Sequence, residues 1–188
     1  MRAVILFLTG ASHTGKTLLA QRLLERHRVP YLSIDHLKMG LIRSGETALT
    51  PEDDAALEAY LWPIVREIAR TALENRQHLI LEGGYILFRW REDFTDRELR
   101  EIRFCCLAMT RDYIEHHFAD IRRYADVIER RLDDSGCTPA WLIAENERCR
   151  ELCRRYDCPC LLIDGEYRVD LDGEALFPPV EPPRGASE

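Results

Sequence analysis

Val4-Ile5-Leu6-Phe7-Leu8-Thr9-Gly10-Ala11-Ser12-His13-Thr14-Gly15-Lys16-Thr17-Leu18-Leu19-Ala20 is the stretch around which the rest of the chain can be arranged. Its first five residues are uniformly apolar, as in a strand buried on both faces. Gly10 to Thr17 then match the Walker A pattern G-x-x-x-x-G-K-[ST], and Leu18 to Leu24 continue with helical spacing. Strand, glycine loop and helix in that order form a phosphate cradle: backbone N–H groups converge, and the helix N-terminus adds partial positive charge. The binding residues expected are Gly10, Ala11, Ser12, His13, Thr14, Gly15, Lys16, Thr17 and Leu18. Lys16 is expected at the β- and γ-phosphates, and Thr17 at Mg²⁺. The chain has 24 arginines and only two lysines, Lys16 and Lys38, so a lysine here marks a need for a compact ammonium. His13 reads as a variable loop position.

The 188 residues suit one domain. A net charge of −7 argues against a general nucleic-acid binder, and the apolar opening run is too short for a membrane span. Seven cysteines without a targeting segment suit a reducing, cytoplasmic setting. Cys149, Cys153, Cys158 and Cys160 are spaced by four, five and two, without paired Cys-x-x-Cys units, and read as thiols rather than structural zinc ligands. Cys105 and Cys106 read as core residues of a strand.

Strands are expected at 2–9, 30–34, 78–82, 103–109 and 160–164. The intervals between them can hold crossover helices, the pattern of a parallel α/β sheet. Thr50-Pro51 reads as a helix start, with Thr50 as N-cap, and Pro63 as a kink or break in the helix that follows. Thr138-Pro139 opens another helix. The long interval after the fourth strand leaves room for a helical lid at about 111–137. Residues 1–176 are expected to form the domain, and the Pro-rich 177–188 a disordered tail.

Two carboxylates fall at strand ends. Asp35 ends the second strand, where a carboxylate can accept the proton of an acceptor hydroxyl or cap the next helix. Glu82 ends the third strand and reads as a Walker-B-type carboxylate that helps hold Mg²⁺. Arg123 and Arg130 lie seven apart in the lid segment, on one face of a helix through 120–132, and could bring cations to a transferring phosphoryl group. Their alternative is a solvated helix paired with Asp120, Asp126 and Glu129; Arg122 and Arg131 share that choice. Lys38 and Arg43, or Arg89 and Arg91 around Trp90, could hold an acidic acceptor but more often are surface charges. His116 and His117 read as ordinary helix residues. No N-K-x-D guanine motif occurs, since Asn75 and Asn146 precede Arg and Glu. The absence of that motif leaves ATP as the preferred nucleotide, with Asp164-Gly165 as a possible edge of the base pocket.

Carried by Gly10–Thr17, Asp35 and Glu82, the pattern over about residues 1–165 resembles the small P-loop kinases of the nucleotide-kinase-like superfamily. Within it the chain resembles especially the zeta-toxin, chloramphenicol-phosphotransferase and 2-phosphoglycerate-kinase-like branches. The resemblance implies a three-layer P-loop NTPase fold of the α/β class, a five-stranded parallel sheet flanked by helices, and a helical lid. It also implies ATP and Mg²⁺, a small-molecule acceptor, and Asp35 as the base. Nucleoside monophosphate kinases often carry Asp-Gly-Phe-Pro-Arg after the third strand. Here Glu82-Gly83-Gly84-Tyr85-Ile86 stands instead, which favours another hydroxylated small molecule. A nucleoside or nucleotide kinase, or a regulatory ATPase without an acceptor, are the alternatives.

Overall fold

A computed structural model describes residues 4–125 and 136–171. The chain runs β1 (Ile5–Gly10), α1 (Lys16–His27), β2 (Tyr31–Ser33), α2 (Ile34–Ser44), α3 (Asp54–Glu74), β3 (Leu79–Glu82), a 3-10 turn at Trp90–Asp93, and α4 (Asp96–Leu99). It continues with β4 (Ile102–Met109), α5 (Arg111–Arg123), α6 (Pro139–Arg155) and β5 (Cys160–Ile163). The five strands are parallel in the order β2-β3-β1-β4-β5. This is the expected three-layer α/β arrangement.

The side-chain period of two divides β1 between two cores. Leu6 and Leu8 pack with Leu19 and Leu23 of α1 and with Tyr113, Ile114 and Ile121 of α5. Ile5 and Phe7 pack on the other face with Leu57, Leu61, Trp62 and Val65 of α3 and with Trp90 and Phe94. Phe7 is fully buried, and its ring lies 5.8 Å from Trp62, 5.7 Å from Trp90 and 5.9 Å from Phe94. Among the described residues no helix is long and apolar enough to cross a membrane.

Four expectations need correction. Asp35 does not end β2: the strand stops at Ser33, the N-cap residue of α2, and Asp35 lies in the first helical turn. An acidic side chain is favoured there by the helix dipole. Thr50 is not the N-cap of α3; Asp53 holds that position. Thr50 donates through N and Oγ1 to Asp53 Oδ2 at 2.8 and 2.9 Å, which closes a turn ahead of the helix. Pro63 does not break α3, which continues from Asp54 to Glu74. Pro63 and Ala59, the residue whose carbonyl loses its N–H partner, are both exposed, so water can satisfy that carbonyl. Finally, 111–123, expected as part of the lid, forms α5, whose Tyr113, Ile114 and Ile121 are buried in the first core. Residues 126–135, including Arg130 and Arg131, and the tail at 177–188 lie outside the described residues.

Phe7→Ala should cost about 3–5 kcal/mol, the usual loss for emptying a buried aromatic site. Urea unfolding of the variant beside the parent measures it, and a loss below about 1 kcal/mol would contradict this packing.

Candidate functional site

Register places Ser33, Glu82, Leu8 and Cys105 in one row across the sheet, so the carboxyl ends of β2, β3 and β1 open on the same side. From that edge the chain leaves β1 at Gly10. Gly10 has φ +139°, and a Cβ there would collide with the Leu107 carbonyl oxygen. The tight approach to β4 turns the backbone into the loop that ends at α1. Gly15, the N-cap residue of α1, has φ +82°, and a Cβ on it would strike the Tyr167 hydroxyl.

The loop is held from several directions. Ala11 N donates to Leu107 O at 3.1 Å, and the buried Thr14 Oγ1 donates to Ala11 O at 2.8 Å. Ser12 N donates to Glu145 Oε2 of α6 at 3.0 Å. Tyr167, beyond β5, donates its hydroxyl to Thr14 O at 3.2 Å. Burial raises the Tyr167 phenol above its ordinary range, so it remains a neutral donor. Glu145 and Tyr167 were not anticipated from the sequence. Both lie more than 120 residues from the loop, and no local spacing marks them.

Helix α6 is placed by its start and by one buried amide. Thr138 accepts from Trp141 N at 3.2 Å and Pro139 opens the helix, as the sequence indicates. One residue beyond Glu145, Asn146 is buried at 1% exposure. Its Oδ1 accepts from Met109 N at 2.7 Å, and its Nδ2 donates to Leu142 O at 2.8 Å. That pair fixes α6 against the end of β4 and so brings Glu145 to the loop.

Lys16 Nζ folds back to donate to Ala11 O at 2.8 Å, so the ammonium already lies over the loop. Thr17 Oγ1 donates to Glu82 Oε1 at 3.0 Å. Glu82 is only 2% exposed. A hydroxyl and a buried carboxylate are the hard oxygen donors that suit Mg²⁺, and they meet at the first turn of α1.

A second polar group surrounds Asp35, whose side chain is 46% exposed. Asp35 Oδ1 lies 2.8 Å from Lys38 Nζ, one helical turn on. Lys38 in turn sits 3.4 Å from the Tyr85 hydroxyl and 5.1 Å from the ring centroid. Tyr85 donates to Asp54 Oδ1 at 2.9 Å. Burial first, and the carboxylates of Asp54 and Asp35 next, raise the Tyr85 phenol well above its ordinary value. Lys38 is thus part of an ordered network rather than a free surface charge. Tyr85 and Asp54 went unnoticed in the sequence because the pairing joins α3 to the loop after β3.

Other candidates fall elsewhere. Arg123 ends α5, exposed, with its guanidinium 5.6 Å from the Tyr124 ring. Arg91 donates to Tyr156 O at 2.9 Å and Arg89 pairs with Glu92 at 3.8 Å, so neither faces the loop network. His116 contacts Asp112 and His117 stacks on Tyr113 at 4.6 Å, both within α5. Asp164 Oδ1 accepts from Thr110 Oγ1 at 3.0 Å.

No family model and no curated protein matches the sequence. Among solved structures, the chain is similar to a candidate kinase from Chloroflexus aurantiacus J-10-fl: 21% identity, 93% of this chain and 95% of that one, TM-score 0.54. It is also similar to shikimate kinase from Bacteroides thetaiotaomicron: 19% identity, 81% of each chain, TM-score 0.47. The first likeness shows that this α/β arrangement recurs across nearly the whole chain.

Asn146→Leu keeps the side-chain volume but strands the Met109 N–H. It should destabilise the fold by about 1–3 kcal/mol, measured by chemical denaturation; an unchanged midpoint would contradict the anchoring role.

Proposed function

We propose that this protein is an ATP-dependent phosphotransferase that moves the γ-phosphate to a hydroxyl of a small molecule. The contact between Thr17 and Glu82 carries the reading, because it joins the phosphate loop to a buried carboxylate at the next strand end. A loop used only to grip an anion has no need of that carboxylate.

In this reading Gly10 to Leu18 bind the triphosphate through loop amides and the start of α1. Lys16 exchanges its bond to Ala11 O for the β- and γ-phosphates. Thr17 and Glu82 would hold Mg²⁺, which would supply charge neutralisation to the triphosphate when bound. Asp35 accepts the proton of the acceptor hydroxyl, and its exposure leaves room for an acceptor to approach. The Lys38 ammonium beside it orients that carboxylate and suits an acceptor that itself carries negative charge. Tyr85 and Asp54 hold Lys38 in place. Arg123 and Arg130 would contribute cations to the transferring group. Residues after β5, from Asp164 to Tyr167, border the nucleotide base. Seven free thiols are compatible with a cytoplasmic setting, and the net charge of −7 with a small-molecule partner rather than nucleic acid.

Lys16→Ala should lower kcat/KM by at least ~100-fold, about 2.7 kcal/mol of transition-state stabilisation, in steady-state ADP release. Near-parental turnover in a folded variant would remove Lys16 from the mechanism. Asp35→Asn should retain ATP binding by calorimetry yet lose transfer to acceptor; weaker ATP binding with transfer intact would assign Asp35 to the nucleotide instead. Across nucleosides, neutral sugars and hydroxylated acids, ADP production should rise above the water background with a small hydroxylated compound, and most with acidic ones. A flat response across all classes would favour an ATPase without an acceptor.

A further inference from the structure

Three cysteines that the phosphate site does not use converge from three elements. Cys106 of β4 and Cys160 of β5 are direct partners in the parallel register, so their side chains share one face of the sheet. Helix α6 lies over that face and brings Cys153 to them. The three sulfur atoms all lie within 4.8 Å of one another. Cys106 and Cys153 are buried, whereas Cys160 is exposed on the edge strand. A fourth thiol, Cys149, one turn before Cys153, contacts Cys106.

We propose that Cys106, Cys153 and Cys160 form a thiolate site for a Zn²⁺ ion. Zinc–sulfur bonds of about 2.3 Å in tetrahedral geometry place sulfurs about 3.8 Å apart, so these three need only small adjustments to bind one ion. Soft sulfur donors without carboxylate or imidazole select a thiophilic cation over Mg²⁺ or Ca²⁺. The surroundings fit as well. Three thiolates around Zn²⁺ leave one negative charge, and Arg150 and Arg154 border the same cleft as Cys153 and Cys160. Through that cleft an ion can enter from solvent at Cys160. Binding expels the thiol protons to water, so affinity falls as pH falls. Packing alone accounts for Cys105, a single thiol that burial pushes up to about 12, but it does not require three sulfurs to meet. Spacing in the sequence conceals the site, because Cys106 is supplied by a strand and lies more than 40 residues before Cys153.

The site would tie β4, β5 and α6 together directly beside the phosphate loop: Cys106 is the register partner of Thr9, the residue before Gly10. Its three donors take no part in the phosphate site, so occupancy does not depend on the phosphotransfer reading.

The test uses the full chain, reduced and stripped of metal, with Cd²⁺ as the spectroscopic probe and Zn²⁺ measured by competition with a chromogenic chelator. A single equivalent of Cd²⁺ should give a thiolate charge-transfer band, and Zn²⁺ should displace it. Cys160→Ser and Cys153→Ser should each weaken Zn²⁺ by at least ~100-fold, more than the loss typical of outer-shell changes. Cys158→Ser should leave binding unchanged, since its thiol points to Phe88 O at 3.3 Å. Circular dichroism confirms that each variant is folded. Absence of a stoichiometric band in the parent protein would overturn the proposal, as would Zn²⁺ affinity insensitive to both cluster substitutions. A Cys106–Cys160 disulfide that persists in millimolar glutathione would overturn it too.

Discussion

The close approach of Gly10 to the Leu107 carbonyl is the constraint on which the rest of the molecule depends. Because the central strand is buried on both faces, it cannot bend until it leaves the sheet, and only a residue without Cβ can turn there. The amides after Gly10 then turn away from strand pairing toward the start of α1. Hydrogen bonds from Ala11, Ser12 and Thr14 fix the resulting loop before any ligand arrives. Preorganisation of this kind reduces the ordering cost of binding a polyanion.

Around that loop the sheet edge sorts charge into two groups. Glu82, buried at the end of β3, meets Thr17 in the first turn of α1. Asp35, Lys38, Tyr85 and Asp54 lie to one side, joined in a chain of short polar contacts and partly open to solvent. In the proposed reading this separation suits a reaction with two substrates, one held by the loop with Thr17 and Glu82 and the other met by a carboxylate and an ammonium. Helix α6 links this edge to the body of the protein, since Asn146 anchors it, Glu145 steadies the loop, and Cys149 and Cys153 face the second core.

Local patterns in the sequence were enough to indicate the strands, the glycine loop and the Thr138-Pro139 helix start. Apolar runs and capping chemistry act over a few residues, so they can be read without the fold. The start of α3 was misread because Asp53 competes with Thr50 for the cap, and the outcome rests on which side chain closes the turn. Asp35 was given the wrong element, since β2 has only three residues and yields to a helix whose dipole favours an acidic first turn. Tyr85, Asp54, Glu145, Tyr167 and the Cys106 contacts were not legible. Each is created by tertiary contact between segments far apart in the chain, and nothing in local spacing marks it.

Following the label from γ-labelled ATP tests the central claim most directly. With a responsive acceptor present, the account predicts that label appears in a small phosphorylated product in step with ADP, and that inorganic phosphate stays at its background rate. Release of all label as inorganic phosphate, at the same rate with and without every acceptor class, would contradict it.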